Sequence, residues 1–247
     1  MPADIDHLNF VIGVAEKHQR RLLAALNKLE IRIVELMREA PLQDGKLFDL
    51  EWAVQARSRI REAISAEYLE VVDTFVSEYA QIAAAARDML GTYTEFAVLD
   101  SGVIAQLQQL SFNGYEALGS DFLEQVSKQI YESTLTGATF GEAVNIVAQS
   151  VDADLARYAK QAVHDGLMDF DAAINTNMAF EAGAEKFIYI GPDDSVTRKH
   201  CDKFVGKTLT LEEIQRAWSG DWAGKREGSP FVVRGGYNCR HRFRAVF

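Results

Sequence analysis

From Leu47 to Leu90 the chain contains neither proline nor glycine, and apolar side chains recur there at alternating steps of three and four: Val72, Phe75, Tyr79, Ile82, Ala86, Met89, continuing through Tyr93 and Phe96. Only an α-helix brings residues spaced in this way onto one side. A stripe kept up for eight positions predicts either coiled-coil-like packing against another helix, from this chain or a second copy, or burial in the core of a helical bundle. Either way, this part of the chain is scaffold.

The same spacing appears earlier. Between Asp6 and Glu39 the residues Leu22, Leu26, Leu29, Ile33 and Leu36 predict a first amphipathic helix. Pro41 cannot continue its hydrogen-bond ladder and Asp44-Gly45 favours a turn, so a hairpin of two long helices is expected. Between Asp100 and Ser150, Gly102, Asn113-Gly114, Gly119-Ser120 and Gly137 predict shorter helical pieces. The piece that runs through Ala148 opens with Thr139 and Glu142 in capping-box spacing. Asp152 is placed to cap another helix, which runs to about Glu181 and is ended by Gly183.

A length of 247 residues suits two folding units, and 48% apolar with 25% charged residues and four prolines describes an ordered chain. The charge is unevenly placed. Residues 1–184 carry 14 basic and 28 acidic side chains, and residues 185–247 carry 12 and 8. Within the last 23 residues Lys225, Arg226, Arg234, Arg240, Arg242 and Arg244 face only Glu227. Such a tail suits a polyanion or an acidic protein surface as partner, with Arg240, Arg242 and Arg244 as phosphate contacts; a solvated loop and strand with scattered arginines is the plainer alternative. Asp4 and Asp6 stand where a secretory signal would be basic, and no apolar run approaches a membrane span, so no membrane partner and assembly in a cytoplasm are expected. Two cysteines exclude a disulfide framework.

Beyond Gly183 the pattern changes, and the fold expected is mainly α with a small α+β module: a helical body over 1–184 and the module over 185–247. Lys186–Ile190 (KFIYI) is a strand closed by Gly191-Pro192. Leu211–Trp218 is a helix capped by Thr210 and Glu213. Phe231–Val233 and Arg240–Phe247 are expected as strands around a Gly235-Gly236 turn. Trp218 and Trp222 are expected to cover the module's core.

The unusual residues gather in two segments of this module, GPDDSVTRKHC (Gly191–Cys201) and GGYNCRH (Gly235–His241). Cys239 and His241 leave the same face of an extended chain, and Cys201 or His200 can approach from the first segment. Cys201, Cys239 and His241, with one of His200, Asp194 or Asp202, make a zinc-type donor set. Two packed thiols beside a histidine, or a Cys201–Cys239 disulfide, use the same residues. His7, His18 and His164 lie on helices with no ligand-spaced partners, so surface or core roles are expected for them.

The order of a short aromatic strand, D-D-x-x-T-R-x-x-C, a G-K segment, a glycine-rich loop and a terminal N-C-R-H resembles the C-terminal domain of the phage Mu F-like head-morphogenesis family. Tyr189, Asp194, Thr197, Arg198, Cys201, Gly206, Gly236, Asn238, Cys239, Arg240 and His241 carry the resemblance, which extends over about 110 residues from Gly137. Many members end in H-P-N-C-R-C where this chain has Gly235 to His241, so a thiol or metal role can differ between subgroups. The resemblance implies a virion protein present in multiple copies inside the head near the portal vertex. Its implied partners are the portal protein and capsid interior, with packaged DNA possible through the basic tail, and its implied roles are head morphogenesis and DNA ejection. Asp194, Arg198, His200 and His241 also allow a metal-dependent nuclease or toxin-like enzyme; a fold-holding Asp194–Arg198 ion pair and a structural ligand set with no catalytic residue is the more economical reading.

Overall fold

The computed structural model describes residues 2–91, 101–150 and 156–247. They form mainly helices with one small α+β module, and they divide into two compact units, each assembled from separate stretches of sequence.

One unit consists of His18–Phe75 and Phe112–Ala162. The later part of helix α1 (Pro2–Arg38) buries Leu22, Leu26, Leu29 and Ile33 in it, as the three-four spacing requires. The chain reverses through β1 (Leu42–Gln43) and β2 (Lys46–Leu47), where Asp44 and Gly45 take φ of 52° and 74°. Asp-Gly suits this tight hairpin turn because both central residues need positive φ. Asp49 then caps α2 (Leu50–Ile64) by accepting the Trp52 N–H, and Arg59 pairs with Glu39 at 2.5 Å to hold α2 along α1.

The second long helix is interrupted, contrary to the sequence expectation. After α2 the backbone widens into a π-turn at Ser65–Leu69, resumes as α3 (Glu70–Asp73), and breaks at Thr74 before α4 (Val76–Gly91). No breaker residue marks these points; the Thr74 hydroxyl donates to the Val71 carbonyl at 2.7 Å, a local bond that competes with the helical ladder. The stripe is nevertheless buried within the single chain at Val72, Phe75, Tyr79, Ile82, Ala86 and Met89. Tyr93 and Phe96 lie outside the described residues.

Conversely, α5 (Ser101–Thr136) passes through Gly102, Gly114 and Gly119 without the expected breaks. Gly119 is a notch: a Cβ there would stand 3.3 Å from the Tyr68 ring, whose hydroxyl donates to the Tyr115 carbonyl. A helical glycine costs about 1 kcal/mol, and full burial of the tyrosine ring offsets it. Gly137 does end the helix, with φ 64° and the Phe48 ring where a side chain would be. Thr139 and Glu142 form the capping box of α6 (Phe140–Ser150). The Asp152 cap falls outside the described residues, and α7 spans Ala156–Glu181.

The other unit joins Met1–Lys17, Val76–Ser111 and Val163–Phe247. Its sheet has β3 (Lys186–Ile190) in the middle, antiparallel to β4 (Thr208–Thr210) on one side and β5 (Arg242–Val246) on the other. Short helices α8 (Lys199–Asp202), α9 (Leu211–Trp218) and α10 (Pro230–Val233) complete the module. Thr210 and Glu213 cap α9 as expected. Phe231–Val233 is therefore a helical turn with proline at its start, rather than a strand, and the last strand begins at Arg242. Phe187, Tyr189, Ile214, Trp218, Phe231 and Phe243 form one apolar cluster that also takes in Ala179 and Ala184. The unit thus extends upstream of residue 185, because α7 supplies part of the module's core.

Candidate metal centre

Alternation along β3 points Phe187 and Tyr189 inward, and Tyr189 is fully buried. The strand ends at Ile190, and at the next residue, Gly191, a φ of 157° and the His241 ring, 2.5 Å from where a Cβ would stand, leave room only for glycine. The following loop is wired to itself. Asp194 Oδ1 accepts the Val196 N–H at 3.1 Å, and the Thr197 hydroxyl bridges Asp194 and the Pro192 carbonyl. The turn delivers α8, which carries Cys201 inward.

From the second segment, Trp218 and Trp222 donate their indole N–H groups to the Arg234 and Gly235 carbonyls at 2.6 and 2.9 Å. The tryptophans thus brace the backbone that presents Cys239 and His241, besides covering the core as the sequence suggested. The two segments are also bound directly. Arg240 forks the Asp194 carboxylate at 2.6 and 2.8 Å and holds it well below the usual carboxylate range. Arg198 donates to the Tyr237 carbonyl. The expected Asp194–Arg198 ion pair is therefore replaced by Asp194–Arg240, across 46 positions. Asn238, at φ 55°, donates its N–H to Asp165 at 2.7 Å.

These braces bring Cys201, Cys239 and His241 together, all buried, with ligand atoms within 4.8 Å of one another. Sγ to Sγ is 4.0 Å, and Cys239 Sγ lies 3.7 Å from His241 Nδ1. In a tetrahedral zinc site those edges are about 3.8 and about 3.6 Å, given metal bonds of about 2.3 Å to sulfur and about 2.0 Å to nitrogen. Two further observations fit an ion. The Pro192 carbonyl accepts from His241 Nε2 at 2.8 Å, which places the ring proton on Nε2 and leaves the Nδ1 lone pair facing the thiols. Gly235 keeps space beside the sulfurs: a Cβ there would stand 2.2 Å from Cys201 Sγ and 3.0 Å from Cys239 Sγ. Among the described residues these three form the one cluster of three or more His, Cys, Asp or Glu donors close enough to share an ion.

Electrostatics divides the two thiols. The two sulfurs share a hydrogen bond, and Cys239 also receives the Gly235 N–H at 3.2 Å and lies near the buried Arg234 guanidinium; Cys239 is pushed down and Cys201 up. Cys201 and Cys239 are not covalently bonded to each other. No family model, curated protein or solved structure matches this chain.

The remaining candidates sit elsewhere. His200 stacks on Trp222 with ring centroids 3.6 Å apart, and burial lowers it to about 4; it joins no ligand cluster. Asp194 is held by Arg240. The basic tail is corrected most: Arg242 is 1% exposed and bonds Asp171 at 3.2 Å and the Asp4 carbonyl at 3.0 Å, Arg244 pairs with Asp4, and Arg234 with Asp169. Arg242 and Arg234 are thus buried against acidic residues of the same unit, and Arg244 keeps part of its side chain exposed. His7 takes the core role, one of the two expected for it; sequence reasoning missed its partner Asp171, at 2.6 Å, and the placing of the Tyr189 hydroxyl beside both thiols. A tyrosine at an inward strand position was the available signal for the second, since a buried phenol needs a polar partner.

Proposed function

We propose that this chain is a minor head protein of a tailed phage, acting in head morphogenesis at the portal vertex as a structural component without catalytic activity. The observation that carries the reading is the closure of the two Mu F-like segments on each other. Asp194 meets Arg240, Arg198 meets the Tyr237 carbonyl, and Cys201 meets Cys239 and His241, so the residues that carry the resemblance cross-link one fold. Zinc is the ion we assign to the three donors, because two thiolates and one imidazole at these separations suit its size and softness. Its contribution is cross-linking: it would join α8 to the segment before β5.

With Arg240, Arg242 and Arg244 held by carboxylates, the module serves assembly, facing portal and capsid interior. No helix among the described residues is long and apolar enough to cross a membrane. Two measurements test the reading. Mass spectrometry of purified, DNA-filled particles of the phage carrying this sequence should find the chain in several copies; its absence from such particles sinks the assignment. Elemental analysis with a thiol count on the purified protein should give one zinc and two protected thiols per chain, whereas two reactive thiols and no metal remove the zinc.

A further inference from the structure

Zinc held by three protein donors and one exchangeable water is the arrangement of hydrolytic enzymes, and a fourth protein donor makes a site structural. What occupies the fourth position therefore decides what this centre can do. His200, Asp194 and Asp202 were the sequence's candidates, and the first two have other partners.

The side chain that does reach the cluster is Tyr189. Its Oη lies 3.5 Å from Cys201 Sγ and 3.6 Å from Cys239 Sγ. In a tetrahedral site, a sulfur and an oxygen bound to the same zinc are about 3.5 Å apart. The phenol oxygen thus stands at ligand separation from both sulfurs at once. Its ring is also fixed: it is fully buried, stacked on His241 at 11° and packed against Trp218 and Phe243 with centroids 5.3 and 4.8 Å away. Its main chain is tied on both sides, N–H to the Lys207 carbonyl and carbonyl to the Gly206 N–H. The position cannot be vacated by a simple rotamer change.

We propose that the Tyr189 phenol oxygen is the fourth donor and closes the coordination sphere; the inference rests on the zinc reading above. With Tyr189, Cys201, Cys239 and His241 around the ion and the Gly235 backbone beside it, no position is left for a hydrolytic water. Metal entry releases the protons of both thiols and of the Tyr189 phenol to solvent, so that the donors are two thiolates, a phenolate and the neutral His241 imidazole. The centre then acts as a knot between β3, α8 and the segment leading into β5.

The test uses the full chain, reduced, stripped and reloaded with cobalt(II) as a spectroscopic replacement for zinc. Wild type should show four-coordinate ligand-field bands that added azide leaves unchanged, and pulsed electron paramagnetic resonance in exchanged deuterium oxide should detect no metal-bound water. A water ligand or an azide-responsive spectrum in wild type overturns the role of Tyr189 while leaving the metal site standing. Tyr189→Phe should open the sphere, making the spectrum azide-sensitive and weakening zinc by about tenfold or more. Unchanged spectrum and affinity in a folded Tyr189→Phe protein also overturn it. A wild-type chain that takes up neither cobalt nor zinc removes the zinc reading itself.

Discussion

Arg244 reaches Asp4 across 240 positions, with 3.0 Å between its guanidinium Nη1 and the carboxylate Oδ2. Arg242, two residues earlier on the same face of β5, bonds the Asp4 carbonyl and Asp171, and Asp171 in turn takes His7 and the Asn175 amide. The start of α1, the middle of α7 and β5 therefore share one buried polar network. Part of the charge asymmetry along the sequence is taken up by this internal pairing: Arg226, Arg234, Arg242 and Arg244 find carboxylates on the chain's own α1 and α7, while Arg240 finds Asp194.

Removing one member should cost far more than a surface ion pair does. Asp171→Ala leaves Arg242, in a site that is 1% exposed, with the Asp4 carbonyl at 3.0 Å and the more distant Asp4 carboxylate at 3.9 Å, and breaking such a buried pair destabilises by up to about 3–5 kcal/mol. Urea unfolding should show the corresponding fall in midpoint; a loss under about 1 kcal/mol would mean that water reaches the site.

Acid should act through the same carboxylate. Burial pushes the Asp171 pKa up, but Arg242 and His7 outweigh burial and leave it below its ordinary value. A depressed carboxylate pKa means that the unfolded chain binds protons first, so this stabilisation is complete above about pH 3.9 and is lost as pH falls through the folded value. Below about pH 4 the wild type should therefore lose stability more steeply than Asp171→Asn. Parallel curves for the two proteins would contradict the assignment.

Gly235→Ala tests the space beside the thiols. The new methyl would meet Cys201 Sγ at 2.2 Å, so the sulfurs must move apart at a cost of about 1–3 kcal/mol. Zinc content should drop together with the melting temperature. A variant that keeps one zinc per chain and an unchanged melting temperature would show that the backbone yields there.

The capping boxes offer a milder check. Thr210→Ala removes the hydroxyl that accepts the Glu213 N–H and should lower stability by about 1 kcal/mol. Thr210→Ser should restore most of it, and equal stabilities for all three proteins would show that α9 is held by packing alone.

Much of this was legible from local rules. KFIYI, both capping boxes, Asp44-Gly45 and Gly183 encode their geometry within a few residues, and the structure follows them. The interruptions near Ser65 and Thr74 were not legible, because backbone bonding and packing, without a proline or glycine, produce them. Gly119 misled in the opposite direction, since its meaning lies in Tyr68, 51 positions away. At the site, Cys201, Cys239 and His241 could be grouped by residue type. The diversion of His200 to Trp222 and of Arg242 to Asp171 depends on tertiary neighbours that no spacing reveals.

The reach from Asp4 to Arg244 also sets an order of events during synthesis. Stretches that close on neighbours nearby in sequence, such as α1 on α2, can pair while the chain is still growing, whereas ordering over long separations is slow. The unit that holds the cysteines waits for β5, and until that strand emerges Asp4, Asp171 and the inner faces of α1 and α7 lack their final partners. A ribosome-stalled or truncated chain ending before Arg242 would expose an acidic, half-apolar surface, which is the kind of intermediate that chaperones retain.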